Sequence, residues 1–166
     1  MANSQFILVG FLLFVGFQFL QKLIKKLTFK PFQMPLLLQS DYIKNPQKQD
    51  NQTLQVIECF ATWCAPCRNM IPHLNKLVKD HPDVFVISVS SEKREVVEKF
   101  MENNPMNYNV AAGSLHQEIM KKCGAMGIPH SCLFMHKMLI WQGHPMNLEA
   151  QIAKYKNILN SGEKSE

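Results

Sequence analysis

The run Leu54-Gln-Val-Ile-Glu-Cys-Phe60 is short, apolar and β-branched, and it leads directly into two cysteines, Cys64 and Cys67, with two residues between them. Runs of this kind read as buried strands. From Pro66 to Asp80, Met70, Ile71, Leu74, Leu77 and Val78 recur at helical spacing, which gives one apolar face to lay on a sheet. A strand that delivers a cysteine pair to the start of such a helix demands an α/β arrangement, with that helix packed on the strand it follows.

The chain downstream keeps the alternation. "VFVISVS" at 84–90 reads as a second buried strand, after which Ser91 is placed to cap a helix with Val96, Val97, Phe100 and Met101 inward. Residues 106–113 read as a loop, and Ser114 with Gln117 forms a capping box for a short helix ending at Gly124. "HSCLFM" and "MLIWQ" are joined so tightly that they form an antiparallel hairpin, although the turn lacks Asp or Gly. Leu148, Ile152, Tyr155 and Leu159 line one face of a last helix. The expected order is β-α-β-α-α-β-β-α over one domain, residues 53–160, followed by a tail at 161–166. With 166 residues, 46% hydrophobic and 19% charged, there is ample apolar surface for one core.

The formal charge of +5 does not mark a nucleic-acid binder. Lys22, Lys25, Lys26 and Lys30 crowd behind an apolar N-terminus, and the other fourteen basic residues against thirteen acidic ones leave +1. A nucleic-acid footprint spreads its basic residues over a face. From Phe6 to Ile24 only Gln18, Gln21 and Lys22 interrupt the apolar run. As a helix that run covers about 28 Å, close to the ~30 Å hydrocarbon thickness, with Lys22 at the boundary.

A cleaved signal peptide wants charge before the apolar run, whereas here the charge follows it. Residues 1–30 are therefore expected to be an uncleaved, single-pass anchor holding the bilayer through 6–24. Lysines on the C-terminal flank put the following domain on the cytosolic or matrix side. Residues 31–52, with three prolines and many amides, read as a tether, with the leucines at 36–38 a candidate edge strand.

A bare pair of cysteines two residues apart also suits zinc, but zinc takes four ligands, usually from a second such pair, and Cys59, Cys123 and Cys132 stand singly in the sequence. At a helix start the spacing has another logic. Cys64 meets unpaired backbone N–H groups and the positive end of the macrodipole, which favour a thiolate, while Cys67 lies one turn inside. A thiol of pKa ~8.5 is about 3% ionised at pH 7, whereas one lowered to ~7 is about half ionised. Cys64 is thus the attacking sulfur and Cys67 the resolving one. Pro66 suits the first turn because its missing N–H has no partner to lose there.

"FATWCAPCRNMIP" followed far downstream by "GIPHSCLF" resembles the thioredoxin fold, most closely the membrane-anchored TlpA and ResA type, with tryparedoxin and nucleoredoxin relatives as a second match. The resemblance covers residues 53–160 and implies a three-layer α/β fold with a mixed central sheet. It makes Cys64 the nucleophile, Cys67 its partner, Pro72 the proline that bends the active-site helix, and Ile128-Pro129 a cis-proline loop beside the disulfide. Trp63, Ala65, Pro66, Ile128 and His130 would meet an extended substrate. Glu58 stands where thioredoxin carries a buried aspartate that exchanges a proton with the inner cysteine, one methylene longer here.

His130 departs from the family, which has threonine there. An imidazole near two thiolates suits a soft metal, but copper-delivery relatives space their cysteines one residue wider, and no metal or cofactor is assigned. Cys59, Cys123 and Cys132 read as small buried apolar residues.

The resulting expectation is a membrane-tethered oxidoreductase that exchanges disulfides with a protein client at the same membrane. The alternative is an accessory subunit of a large membrane complex that keeps the fold. The mitochondrial inner membrane is the expected site, by analogy with TlpA-like proteins.

Overall fold

The structure, a computed structural model, describes residues 9, 11, 14–20, 29–38, 41–44 and 52–162. The chain divides into two compact units, Met1–Pro31 and Phe32–Glu166. In the first, residues 14–20 are helical, with Phe14, Phe17 and Phe19 exposed. Most of the expected span at 6–24 lies outside the described residues, and among those described no helix is long and apolar enough to cross a membrane.

The second unit is built on one six-stranded mixed sheet. Its strands are β1 (Tyr42–Lys44), β2 (Leu54–Cys59), β3 (Val84–Ser90), β4 (Asn109–Ala112), β5 (His130–Met135) and β6 (Met138–Gly143), in spatial order β1-β4-β3-β2-β5-β6. β2, β3 and β4 run parallel, while β1, β5 and β6 pair antiparallel with their neighbours. β2 and β3 are buried along their whole length, as their largely apolar runs lead one to expect, with Gln55, Glu58, Ser88 and Ser90 buried among them. The helices are α1 (Ala65–Asp80), α2 (Arg94–Asn103), α3 (Leu115–Cys123) and α4 (Leu148–Gly162).

Successive strand residues point to opposite faces, so the sheet has two distinct sides. Leu54, Val56, Val84, Val86, Val110 and Leu133 share a core with Leu74 of α1, Val97 of α2 and Leu148 of α4. On the other side Cys59 Sγ lies 4.0 Å from the His116 carbonyl oxygen in α3. Three helices cover one face and α3 covers the other. The stripe Cys67, Met70, Ile71, Leu74 and Leu77 is the buried face of α1, and truncating a residue as enclosed as Leu74 costs about 2–5 kcal/mol.

Several expectations change. Residues 106–113, read as a loop, contain β4, because pairing to β3 on one side and β1 on the other overrides the weak strand propensity of its Asn and Ala residues. The edge strand lies at Tyr42–Lys44 and not at the leucines 36–38. Within the stretch expected as a tether, residues 32–34 dock on the sheet: Gln33 bridges Met138, the Met34 N–H donates to the Lys137 carbonyl, and Phe32 packs edge-on against Phe134 at 5.7 Å. α2 starts at Arg94 with Lys93 as its cap, so Ser91 caps nothing, and Val96 is exposed. Ser114 precedes α3 in a helical conformation and makes no side-chain cap, so the capping box does not form. α4 runs on through Gly162, into the stretch expected as a tail; residues 163–166 lie outside those described.

Candidate active site

Cys64 is the N-cap of α1, with φ −79° and ψ 103°, and Pro66 lies in the first turn. The Cys67 N–H donates to Cys64 Sγ at 3.2 Å, the contact that a thiolate at a helix start needs. The two sulfurs form a disulfide, with Cα atoms 5.2 Å apart. Pro72 sits inside α1 and removes one rung of its ladder without ending it.

The loop ahead of the pair is fixed from the far end of β3. Glu92 accepts from the Thr62 N–H and from the Thr62 hydroxyl, both at 2.7 Å, and from the Ser90 hydroxyl at 3.0 Å. The Arg68 guanidinium donates to the Thr62 carbonyl at 3.1 Å. These positioning residues were not found in the sequence, where nothing linked Glu92 to a residue thirty positions earlier.

The Ile128–Pro129 bond is cis, and the Ile128 carbonyl oxygen lies 3.9 Å from Cys64 Sγ. Ile128 and Pro129 are half-buried, Ala65 and Pro66 are exposed, and Trp63, just before the nucleophile, is 72% exposed. A cis-proline loop and a helix start therefore meet at one sulfur, with an exposed indole on the residue before it.

Glu58 lies in the middle of the sheet, 1% exposed, and not at a solvent-facing strand end. Alternation puts it on the same face as Val56 and Phe60, the face that α1 and Cys67 cover. Burial raises its carboxyl to about 7, opposed in part by the Ser88 hydroxyl, which donates to Oε2 at 2.6 Å. A carboxyl poised there can hold or release a proton near neutral pH. Tyr108, fully buried, has its phenol pushed up by burial and then by the Glu58 charge.

His130 does something the sequence did not show. It pairs in register with Cys59, its Nε2 lies 3.1 Å from Gln142 Oε1, and its ring gathers with Cys123 and Cys132, all ligating atoms within 4.8 Å of one another. The Cys123 and Cys132 sulfurs are 2.9 Å apart. The hydrogen bond from Cys132 holds the Cys123 thiol low, helped by His130, whereas its partner and burial push the Cys132 thiol up. Cys123 and Cys132 are therefore a thiol pair and not isolated apolar filler.

Residues 29–142 match the AhpC/TSA family. The chain belongs to that family. This AhpC/TSA protein is 36% identical over 63 residues to mitochondrial thioredoxin-3 of Saccharomyces cerevisiae, covering 38% of this chain and 48% of that one. It is 30% identical over 88 residues to sporulation thiol-disulfide oxidoreductase A of Bacillus subtilis, covering 49% and 53%. The AhpC/TSA chain thus spans about half the length of these curated relatives.

Among solved structures, StoA from Bacillus subtilis superposes with a TM-score of 0.54 at 22% identity, over 73% of this chain and 95% of that one. A thiol-disulfide isomerase from Corynebacterium glutamicum does so with 0.57 at 20%, over 68% and 85%. The thioredoxin-like α/β fold expected from the sequence is the fold observed.

Proposed function

We propose that the protein is a thiol-disulfide oxidoreductase, tethered to a membrane through residues 6–24, that exchanges disulfides with a protein client at that membrane. The observation that carries this reading is the Cys64–Cys67 disulfide capping α1 beside the cis Ile128–Pro129 bond. In the reducing direction the Cys64 thiolate attacks one client sulfur, the client S–S bond breaks, and one client thiolate leaves. Cys67 gives its proton to the Glu58 carboxylate and attacks Cys64 Sγ, which releases the second client thiolate. The client gains two electrons and the pair becomes the disulfide seen here.

Exposed Trp63 offers an apolar surface next to the nucleophile, and the Ile128 and Pro129 backbone lies where an extended client segment would run. The basic residues after the apolar N-terminus support a matrix or cytosolic face. A mitochondrial thioredoxin among the relatives is compatible with the mitochondrial inner membrane.

Thiol trapping in intact and permeabilised membranes tests the assignment. The expected result is Cys64 alkylated faster than any other thiol at pH 7, on the matrix or cytosolic side, and a Cys64→Ser variant without disulfide reductase activity. Equal labelling of all thiols, or an active variant, would sink the enzyme reading. An accessory-subunit role would show instead as co-migration with a large assembly in mild detergent, unchanged by Cys64→Ser.

A further inference from the structure

The redox pair uses two of the five cysteines. The other three, Cys59, Cys123 and Cys132, are free, and two of them converge with an imidazole behind the sheet. His130 and Cys132 are two residues apart on β5, so their side chains leave the same face. Cys123 is the last residue of α3, which closes at once on the left-handed Gly124, φ 61°, and this stop leaves the thiol over that face.

We propose that Cys123, His130 and Cys132 form a binding site for one thiophilic cation, monovalent copper. The ligating atoms already stand within 4.8 Å of each other, so a single ion reaches all three with small rotamer changes. Two sulfurs and one imidazole nitrogen are the donor set that soft cations select. The Gln142 side-chain carbonyl accepts from His130 Nε2–H at 3.1 Å, which orients the ring and leaves its other nitrogen for a metal, the arrangement that holds a metal-binding histidine.

Structural zinc takes four protein ligands. Among the described residues the cluster offers three, and Cys59 Sγ is turned to the His116 carbonyl oxygen. Monovalent copper is satisfied with fewer ligands. Cys123 and His130 are half-buried while Cys132 is buried, so an ion enters from one side. Binding forms two Cu–S bonds and one Cu–N bond, any remaining thiol proton passes to solvent, and no electron changes hands.

The site is distinct from the Cys64–Cys67 pair, and its test leaves that pair closed. The full chain in detergent, with Cys64 and Cys67 oxidised, is titrated anaerobically with Cu(I), kept reduced by ascorbate, against a chromophoric Cu(I) chelator. One equivalent is expected. Cys123→Ser, Cys132→Ser and His130→Gln should each weaken binding at least about tenfold, with Cys59→Ser unchanged. Copper X-ray absorption on the unmodified chain should show two sulfur neighbours and one nitrogen, which keeps the assignment testable even if Cys132→Ser fails to fold.

Absence of binding, equal affinity in the variants, or a sulfur-only shell would overturn it. So would displacement of the copper by stoichiometric zinc, or a Cys123–Cys132 disulfide in anaerobically isolated protein.

Discussion

The molecule holds two thiol pairs on opposite faces of one sheet, and they are made in different ways. Cys64 and Cys67 are brought together by three residues of helix start, with the Cys67 N–H on the Cys64 sulfur. Cys123 and Cys132 are brought together by the packing of α3 on β5, with His130 and Gln142 beside them. The first pair faces a cis-proline loop, with an exposed tryptophan just before it; the second, one thiol buried and one half-buried, faces an imidazole. The same sulfur chemistry thus stands in two unlike surroundings.

The largest effect that separates the two pairs is on turnover. Cys64→Ser should lower disulfide reduction by at least ~10³-fold, since a serine hydroxyl at neutral pH is a far weaker nucleophile than a thiolate. Cys67→Ser should accumulate the mixed disulfide with the client, visible as a mass increase that a reductant reverses. Cys123→Ser should leave the initial rate within about twofold, because it touches neither the attacking nor the resolving sulfur. A comparable loss at Cys123 would erase the division of labour.

Glu58 lies on the sheet face that Cys67 covers and not on the face of the second pair, and its titration sharpens the contrast. Its carboxyl keeps its proton to about 7 in the folded chain, against an ordinary value of 4.5. Between those values the folded state binds more protons than the unfolded one, so stability is highest below about 4.5 and falls as pH rises through 7. The full shift is worth about 3 kcal/mol. Glu58→Gln should flatten the unfolding free energy between pH 5 and 8, measured by urea denaturation, and should slow resolution of the mixed disulfide about 10²-fold. An unchanged pH slope would remove Glu58 from the proton path.

What could be read in advance follows the same division. The strand, the pair, Pro66, Pro72 and the Ile-Pro dipeptide are local patterns, and β2, β3, α1 and the β5–β6 hairpin lie where those patterns put them. Glu58 stands out in the sequence because it lies on the strand feeding the pair, and its burial is what the structure adds. Glu92 holding Thr62, β4 wedged between β1 and β3, and Cys123 against Cys132 are each made by tertiary contact between residues whose neighbours carry no periodic or motif signal. His130 stands out in the sequence as a departure from the family, but nothing there says that α3 ends over β5 and brings Cys123 and Cys132 to its ring.

The Glu92 brace is the intermediate case, acting on the first pair without touching it. Glu92→Ala leaves the Thr62 N–H and hydroxyl without their acceptor, which costs about 2 kcal/mol for charged hydrogen bonds. The expected result is a lower denaturation midpoint together with slower alkylation of reduced Cys64. Copper binding behind the sheet should stay as it was. If both sites weaken together, the sheet transmits strain and the pairs are not independent.

The smallest effect lies at the turn that joins β5, carrying His130 and Cys132, to β6, carrying Gln142. His136 and Lys137 take φ of 48° and 66°, the two left-handed positions of a hairpin turn that Asn-Gly fills without strain. Side chains with a Cβ pay there for a conformation that glycine adopts freely. Lys137→Gly should therefore stabilise the chain, by about 0.5–1 kcal/mol after the extra freedom of the unfolded glycine is set against the relieved strain. The Lys137 carbonyl still accepts from Met34, so the change is confined to the turn. A midpoint rise of about 1–4 °C is expected, with slower amide exchange across β5 and β6 and no change in the rate at Cys64. A fall in the midpoint would mean that Lys137 holds the turn through its side chain, and that the strands supporting the second pair depend on more than their ladder.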